Sequence, residues 1–291
     1  ALSDYVIGRH YPEAAKKDRP ALALLEAVVS KQAALIAQWQ ALGFIHGVMN
    51  TDNMSIAGET IDFGPCAFMD GFDPAQVYSS IDHHGRYAYQ NQPAVAQWNL
   101  AMLAQCLLQL IDADEDEAVR LAQAAVDAFV PTFQAAYTAQ FAEKLGLAEV
   151  RENDAELVGQ LLGVMAAGNA DFTLSFRWLA DQIEKVNQPF SDLFDGADGL
   201  EAWLAQWRSR LKEEGRSVEE VRTQMLKVNP LFIPRNHLVE EAITAAYDGD
   251  FGPFHALNEV LAKPYVEQKR REKFALPPRP EQIVRQTFCG T

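Results

Sequence analysis

The sequence predicts one mostly helical unit that carries a single small β-hairpin. Apolar residues recur at three- and four-residue spacing through most of the 291 residues, whereas period-two alternation is confined to residues 54–63. No internal repeat or low-complexity linker divides the chain. Hydrophobic residues make up 48% and charged residues 22% of the composition, which excludes disordered and collagen-like proteins.

The first predicted helix begins at Pro20, which suits a first turn, and ends before Gly43, which suits the residue after a last turn. One face of this helix is apolar apart from a single glutamine and consists of Leu25, Val28, Gln32, Leu35, Trp39 and Leu42.

A β-hairpin is predicted next, with alternating residues at 54–56 and 60–63 around a turn. Antiparallel pairing of these strands would bring Asn53 close to Asp62. Residues 65–92 are then expected to form a long loop, which in a compact domain is usually functional or mobile.

Helices are predicted for most of the remaining chain. The first begins at Pro93, and its predicted core-facing stripe consists of Val95, Trp98, Met102, Cys106 and Leu110. The acidic residues 114–117 begin the next helical stretch, in which Pro131 starts or kinks a helix. Further helices are expected near residues 154–166, 171–186, 198–213, 217–227, 236–247 and 253–262.

The net charge of −15 argues against a protein that binds nucleic acid, because phosphates require a basic surface. We recognise neither an apolar run long enough to cross a bilayer nor a signal peptide. Three scattered cysteines are too few for a disulfide framework or a zinc site. We therefore expect a cytoplasmic protein with no nucleic-acid or membrane partner.

The residues with the clearest chemistry lie between 46 and 64. A carboxylate from Asp62 and a carboxamide oxygen from Asn53, converging from a hairpin, suit a hard divalent cation. Mg²⁺ takes few protein ligands and keeps waters or phosphate oxygens in its other positions, and Mn²⁺ accepts the same oxygen ligands. The sequence therefore predicts a Mg²⁺ or Mn²⁺ site.

The same segment has the spacing of a protein-kinase catalytic loop from His46 to Asn53, followed by an Asp-Phe-Gly motif. Kinases place their general base at the position of Val48, and a valine cannot accept a proton. Ordinary kinase chemistry therefore lacks its base unless Asp52 supplies it. We interpret His46 as structural.

The text HGVMNTDNMSIAGETIDFGPCAFMDGFDP strongly resembles the selenoprotein O family of protein adenylyltransferases, which have a kinase-like fold. Three further segments share this resemblance: GRYAYQNQPAVAQWNL, DFTLSFRWL and NPLFIPRNHLVEEAI. The resemblance implies a mainly α structure, with a kinase-like carboxy-terminal lobe, a β-hairpin at the metal site and a large helical extension. Residues 1–92 would hold the catalytic loop and metal site, and residues 93–291 the helical lobe and extension.

The resemblance also implies the reaction and the roles of three residues. The family transfers AMP from ATP to Ser, Thr or Tyr hydroxyls of proteins, with ATP flipped relative to its orientation in kinases. Asp52 would accept the hydroxyl proton. Asn53 and Asp62 would bind the metal, and Asp62 would also face the nucleotide.

Two further expectations follow from the resemblance. Family members carry an amino-terminal nucleotide lobe with a glycine-rich region, and no glycine-rich phosphate loop precedes residue 46. We therefore expect this lobe to be absent from the sequence and the chain alone to be inactive. Redox regulation is also implied, through a disulfide between Cys66 and Cys289, and the alternative is two free thiols. Eukaryotic relatives are implied to be mitochondrial.

Other interpretations stay open. The chain could be a catalytically inactive scaffold, as Val48 suggests, although intact Asp52, Asn53 and Asp62 argue against it. It could also be a conventional phosphotransferase with Asp52 as its base. The segment 86–89 is either an ordinary surface loop or a contact for a protein substrate.

Overall fold

The computed structural model describes residues 1–184, 188–196 and 198–288. These residues form a mainly helical structure with one small antiparallel sheet. The helices are α1 Leu2–His10, α2 Pro20–Leu42, α3 Gln92–Ile111, α4 Glu115–Asp127, α5 Phe129–Lys144, α6 Asp154–Ala167, α7 Phe172–Leu179, α8 Gln188–Ser191, α9 Leu200–Lys212, α10 Val218–Val228, α11 Asn236–Tyr247 and α12 Gly252–Leu261.

The sheet consists of two short strands that flank the predicted metal-site segment. Strand β1 is Phe44–Ile45, and strand β2 is Ala67–Phe68. Phe44 pairs with Phe68 and Ile45 with Ala67, so the chain between them leaves and returns at the same place.

Helix α2 is the central element, and it packs against α3, α4 and α5. It begins at Pro20 and ends before Gly43, as predicted, because Gly43 adopts the left-handed conformation with φ 68°. A Cβ atom at Gly43 would lie 2.8 Å from Cδ1 of Phe172, so the position also requires close approach of the backbone.

In the part of the chain that the structure describes, three apolar clusters form the core. One joins α2 to α1, α3 and α4. A second lies among α5, α6, α7, α9 and α10 and contains the stacked pair Trp203 and Trp207. The third holds α11 and α12 together with Phe274 of the tail. The second cluster includes Ile45 of strand β1, so the segment that follows is attached to a packed core.

Buried arginines connect distant parts of the chain. Arg235, with no exposed surface, forms ion pairs with Asp70 and with Asp171, the residue that caps α7. Arg177 instead donates to the carbonyl oxygens of Leu226, Asn229 and Tyr265.

The β-hairpin prediction is wrong in detail. Met54 and Thr60 form only an isolated antiparallel bridge, and the paired strands are β1 and β2. The chain therefore reverses where predicted, but three alternating residues on one side and four on the other are too few to build strands there.

The predicted core-facing stripe of α3 is wrong except at its start, where Val95 is buried. Trp98 and Leu110 are exposed, and so is Cys106. The buried face runs instead through Ala96, Leu100, Ala104, Leu107 and Ile111. This helix is apolar on most sides, so spacing alone does not select the face.

Among the described residues, two helices are long and apolar enough to cross a membrane by length and composition, contrary to the expectation from sequence. They span Pro20–Leu42 and Tyr89–Ile111, each with a mean hydropathy of 1.4. Half of the most apolar 18-residue stretch of the first helix is buried inside the protein. Core helices of soluble proteins can be equally long and apolar.

Candidate active site

The predicted catalytic loop starts directly after strand β1. His46 and Val48 are buried, and the chain then turns through a short 3₁₀ segment, Thr51–Asn53. Gly47 has φ 85°, and a Cβ atom there would lie 2.9 Å from the carbonyl oxygen of Pro65. The loop is therefore packed tightly against the chain that follows Asp62.

A series of hydrogen bonds links Asn53 to the residue before Asp62. The side-chain amide of Asn53 donates to the carbonyl oxygen of Val48 at 2.9 Å. The Val48 backbone N–H lies 3.4 Å from Nδ1 of His46, and Nε2 of His46 lies 2.8 Å from the carbonyl oxygen of Ile61. The imidazole thus holds together the two segments that carry the predicted metal ligands.

The protonation of His46 follows from these partners. The Ile61 carbonyl can only accept and the Val48 N–H can only donate, so Nε2 carries the proton and Nδ1 accepts. Burial lowers the pKa of His46, against smaller opposing effects of the Ile61 hydrogen bond and the Asp62 charge. His46 is therefore neutral near pH 7. A neutral ring can make both hydrogen bonds, which agrees with the interpretation that His46 is structural.

The three predicted site residues are accessible to different degrees. Asp52 and Asp62 are exposed, and Asn53 is half-buried. Asp62 adopts φ 54°, a left-handed conformation that aspartate tolerates better than most residues. Its carboxylate accepts a long hydrogen bond of 3.4 Å from the Gly64 backbone N–H.

The donor set of Asn53 and Asp62 fits a magnesium-type ion. The amide nitrogen of Asn53 is used by Val48, so the carboxamide oxygen is the atom that remains for a ligand. Asp62 offers an exposed carboxylate. In the part of the chain that the structure describes, no group of three or more His, Cys, Asp or Glu residues could hold a metal. Mg²⁺ needs fewer protein ligands than that.

Val48 is 6% exposed and belongs to the packed interior of the loop. The position where kinases carry their base is therefore an apolar core position. Asp52, by contrast, lies at the surface, where a hydroxyl from another protein could reach it.

The loop that follows β2 is anchored to the predicted catalytic loop and to α2. The Tyr87 hydroxyl donates to Oδ1 of Asn50 at 2.6 Å, and the Tyr89 hydroxyl donates to the Gln40 carbonyl oxygen at 2.7 Å. The Asp82 carboxylate accepts the backbone N–H groups of Arg86 and Tyr87. Only Arg86 of the segment 86–89 is exposed, so most of this segment supports the site from within.

Gln92, in the first turn of α3, also positions the catalytic loop. Its side chain accepts from the His46 backbone N–H and donates to the Phe44 carbonyl oxygen, each at 2.9 Å. Sequence reasoning missed Gln92, because a glutamine after a loop gives no sign of a partner 46 residues away.

The carboxy-terminal tail reaches the segment after Asp62. The Thr287 hydroxyl donates to the Pro65 carbonyl oxygen at 2.5 Å, and the Thr287 backbone pairs with Tyr78 and Ser80. Cys66 is half-buried, and burial raises its pKa to about 11. Cys289 lies outside the described residues.

Comparison with known proteins identifies one family. A model of the family described as "Protein adenylyltransferase SelO" matches residues 1–262. The "Protein nucleotidyltransferase YdiU" of Rhodopseudomonas palustris (strain BisB5) is 53% identical over 294 residues, which cover 100% of this chain and 60% of that protein.

Two other relatives with the same description give similar values. The one from Rhizobium johnstonii (strain DSM 114642 / LMG 32736 / 3841) is 53% identical and covered over 59% of its length. The one from Bradyrhizobium sp. (strain ORS 278) is 52% identical and covered over 60%. Both alignments include 100% of this chain, which therefore spans about 60% of the length of these curated relatives.

Proposed function

This chain belongs to the SelO family of protein adenylyltransferases, and from that membership we propose that it serves the transfer of AMP from ATP to hydroxyl side chains of proteins. The observation that carries the proposal is the hydrogen-bonded series from Asn53 through Val48 and His46 to Ile61. This series fixes a carboxamide next to the segment that bears an exposed carboxylate, Asp62.

We assign Asn53 and Asp62 as the metal ligands and Asp62 also as a residue that faces the nucleotide. A bound Mg²⁺ or Mn²⁺ would neutralise the charge that builds on the phosphates during transfer. Asp52 is the proton acceptor. It takes the proton of the Ser, Thr or Tyr hydroxyl as that oxygen bonds to the α-phosphorus of ATP. The bond from the α-phosphorus to pyrophosphate breaks, and AMP stays on the protein.

The remaining architectural predictions belong with this proposal. A kinase-like carboxy-terminal lobe, with the catalytic and metal region in residues 1–92 and a helical lobe and extension in 93–291, is consistent with a mainly helical chain around a short sheet. A cytoplasmic location stays a prediction.

We also propose that Cys66 and Cys289 form a regulatory disulfide. The support is the position of the tail: Thr287, two residues before Cys289, is hydrogen-bonded to Pro65, the neighbour of Cys66. Closing the bond takes two electrons and two protons from the thiols, which oxidised glutathione can accept.

Intact-protein mass spectrometry tests the proposed reaction. The chain is incubated with ATP and Mg²⁺, once alone and once joined to the part of the Rhodopseudomonas palustris relative that the alignment leaves uncovered. Asp62→Asn, which tolerates the same positive φ, is the matched control. We expect the joined protein to gain AMP and the control to gain nothing.

Two other results would overturn the proposal. A gain of one phosphate would identify a conventional phosphotransferase. No gain by the joined protein, together with no metal-dependent binding of ATP, would identify a scaffold.

A further inference from the structure

A groove of about 800 Å³ lies between α2 and α5, and we call it the α2–α5 groove. The end of α10 and the turn at residues 57–59 complete its walls. This turn lies between Asn53 and Asp62 in the chain. Lys144, in the last turn of α5, lines the groove. Lys144 therefore shares a groove with the segment that carries the proposed metal ligands.

Lys144 is buried without a partner. It is 4% exposed, and its Nζ makes no hydrogen bond or ion pair with any of the described residues. Aromatic rings face Nζ instead, with the centre of the Phe176 ring at 4.3 Å and that of Phe172 at 5.7 Å. An ammonium in these surroundings has lost water without gaining a carboxylate, which favours the neutral amine.

The amine is nevertheless accessible from the α2–α5 groove. In the described part of the chain, the fully buried side-chain atoms that lack a hydrogen-bond partner do not include Nζ of Lys144. Since Nζ also lacks such a partner, it keeps some accessible surface. The small exposed fraction of Lys144 restricts this access to small molecules.

The other ionisable side chains of the groove give Lys144 no counter-ion. They come from α2, the 57–59 turn, α5, α10 and the chain after α12, and they are Lys31, Glu59, Glu143, Lys227 and Tyr265. Neither glutamate pairs with Lys144 within the described ranges. Lys31 donates to the carbonyl oxygen of Ala57 at 3.1 Å. Burial therefore decides the protonation of Lys144, and it lowers the pKa to about 7.

The neutral amine is the nucleophilic form of lysine, and desolvation in an apolar site activates it. With a pKa of about 7, about half of the Lys144 side chains are neutral near pH 7. An ordinary lysine, with a pKa near 10.4, is neutral in roughly 1 molecule of 2,500 at that pH. Lys144 thus combines a free amine with an open groove.

We propose that Lys144 is a site of acylation by a small acyl phosphate, which reaches the amine through the α2–α5 groove. The lone pair of Nζ attacks the acyl carbon, and an amide bond forms. The bond from that carbon to the phosphate oxygen breaks, and the phosphate leaves with the electron pair and takes a proton from the amine. The product is an uncharged amide, which costs less to bury beside Phe172 and Phe176 than an ammonium.

Acetyl phosphate tests this proposal on the intact chain. Peptide mass spectrometry measures the initial rate of acetylation at each lysine. Lys227 is the internal reference, because it lines the same groove but is exposed. The ratio of the two rates in one sample does not depend on hydrolysis of the donor. Acetyl-coenzyme A, a much larger acyl donor, is tested in parallel.

At pH 7 we expect acetyl phosphate to label Lys144 at least about tenfold faster than Lys227, because the gain in free amine exceeds the losses from lower basicity and narrow access. Between pH 7 and pH 9 the rate at Lys144 should rise about twofold, since half of its amine is already neutral. The rate at the exposed Lys227 should rise about a hundredfold. Acetyl-coenzyme A should show no preference for Lys144.

A substitution in the groove tests the path to the amine. Gln140 lines the groove one helical turn before Lys144, so the two side chains are neighbours on the same face of α5. The variant Gln140→Trp should cover Nζ and slow acetylation of Lys144 at least about fivefold, without change at Lys227.

Three results would overturn the proposal: label at Lys227 that is as fast as at Lys144 at pH 7, a rate at Lys144 that rises as steeply with pH as that at Lys227, or an unchanged rate at Lys144 in Gln140→Trp. An equal preference for Lys144 with acetyl-coenzyme A would overturn the assignment of the donor. If Gln140→Trp does not fold, the pH profile of the unmodified chain decides the matter. None of these measurements requires nucleotide transfer, so they are independent of the proposed function.

Discussion

Replacing Lys144 by methionine should make the protein more stable. Lys144 ends α5 and is only 4% exposed, and no carboxylate pairs with it among the described residues. Its Nζ lies 4.3 Å from the centre of the Phe176 ring and 5.7 Å from that of Phe172. Burial lowers the pKa of Lys144 from 10.5 to about 7. Methionine has a similar length and carries no charge to bury.

The size of the effect follows from this pKa. A fall of roughly 3.5 pH units, at about 1.36 kcal/mol per unit, corresponds to roughly 5 kcal/mol of lost interaction for the charged amine. The attraction of the Phe176 ring for the ammonium, worth about 1–2 kcal/mol when desolvated, reduces the gain but keeps its sign.

The effect depends on pH with a definite sign. Between pH 7 and 10.5 the unfolded chain holds a proton on Lys144 that the folded chain has lost, so the free energy of unfolding rises with pH in this window. The advantage of Lys144→Met should therefore fall from roughly 3–4 kcal/mol at about pH 6, where the attraction of the ring is subtracted, to roughly 2 kcal/mol at about pH 9, where the folded amine is neutral. Urea unfolding followed by tryptophan fluorescence measures both values.

Lys227→Met is the matched control, because Lys227 and Lys144 line one surface groove, the α2–α5 groove, and Lys227 is exposed. Its substitution should change the free energy of unfolding by less than about 0.5 kcal/mol at either pH. A gain for Lys144→Met that does not change between the two pH values, or a loss of stability near pH 6, would refute the reasoning.

Three other substitutions or treatments test separate contacts. His46→Phe should lower the free energy of unfolding by about 1–3 kcal/mol in urea, since it leaves the part-buried Ile61 carbonyl and the buried Val48 N–H without a partner, and an unchanged value would contradict the assigned bonds. Arg235→Met should cost about 3–5 kcal/mol, because the Asp171 carboxylate stays buried without its partner, and double substitution with Asp171→Asn should recover part of that loss. Oxidised glutathione should yield a peptide that links Cys66 to Cys289 in non-reducing mass spectrometry, and equal labelling of both thiols with and without reductant would exclude the bond.

Much of the helical fold could be predicted because the residues that start and end helices act locally. Pro20 and Gly43 bracket α2 at the predicted residues, and Pro131 lies in the first turn of α5. The start of α10 is set by Ser217 and Glu220, which form a capping box. These signals act within one turn of helix, so a single sequence contains all of them.

The errors in predicting helices arise in two situations. One is a helix with too few apolar residues to show a period, and the other is a helix so uniformly apolar that its spacing does not show which face is buried. Helix α1, Leu2–His10, was not predicted, because it is short and has only one buried residue, Ile7. Cys106 was assigned to the core from spacing alone, although the core lies on the other side of α3.

In the candidate site, the sequence indicates the residues of the site itself but not the distant residues that hold them in place. The residues from His46 to Asp62 could be found from their order, and the family match confirms the resemblance that they carry. Their supports could not be found, because Tyr87 bonds a residue 37 positions away and Thr287 one 222 positions away. Such pairs depend on the packing of the whole chain.

Transfer of labelled phosphorus tests the central claim most directly. The joined protein described above is incubated with a protein acceptor and Mg²⁺, in parallel with ATP labelled at the α-phosphorus and ATP labelled at the γ-phosphorus. We predict label on protein from the α-phosphorus only, with loss of that label in Asp52→Asn and in Asp62→Asn. Label from the γ-phosphorus, or α-label that survives both substitutions, would contradict the account.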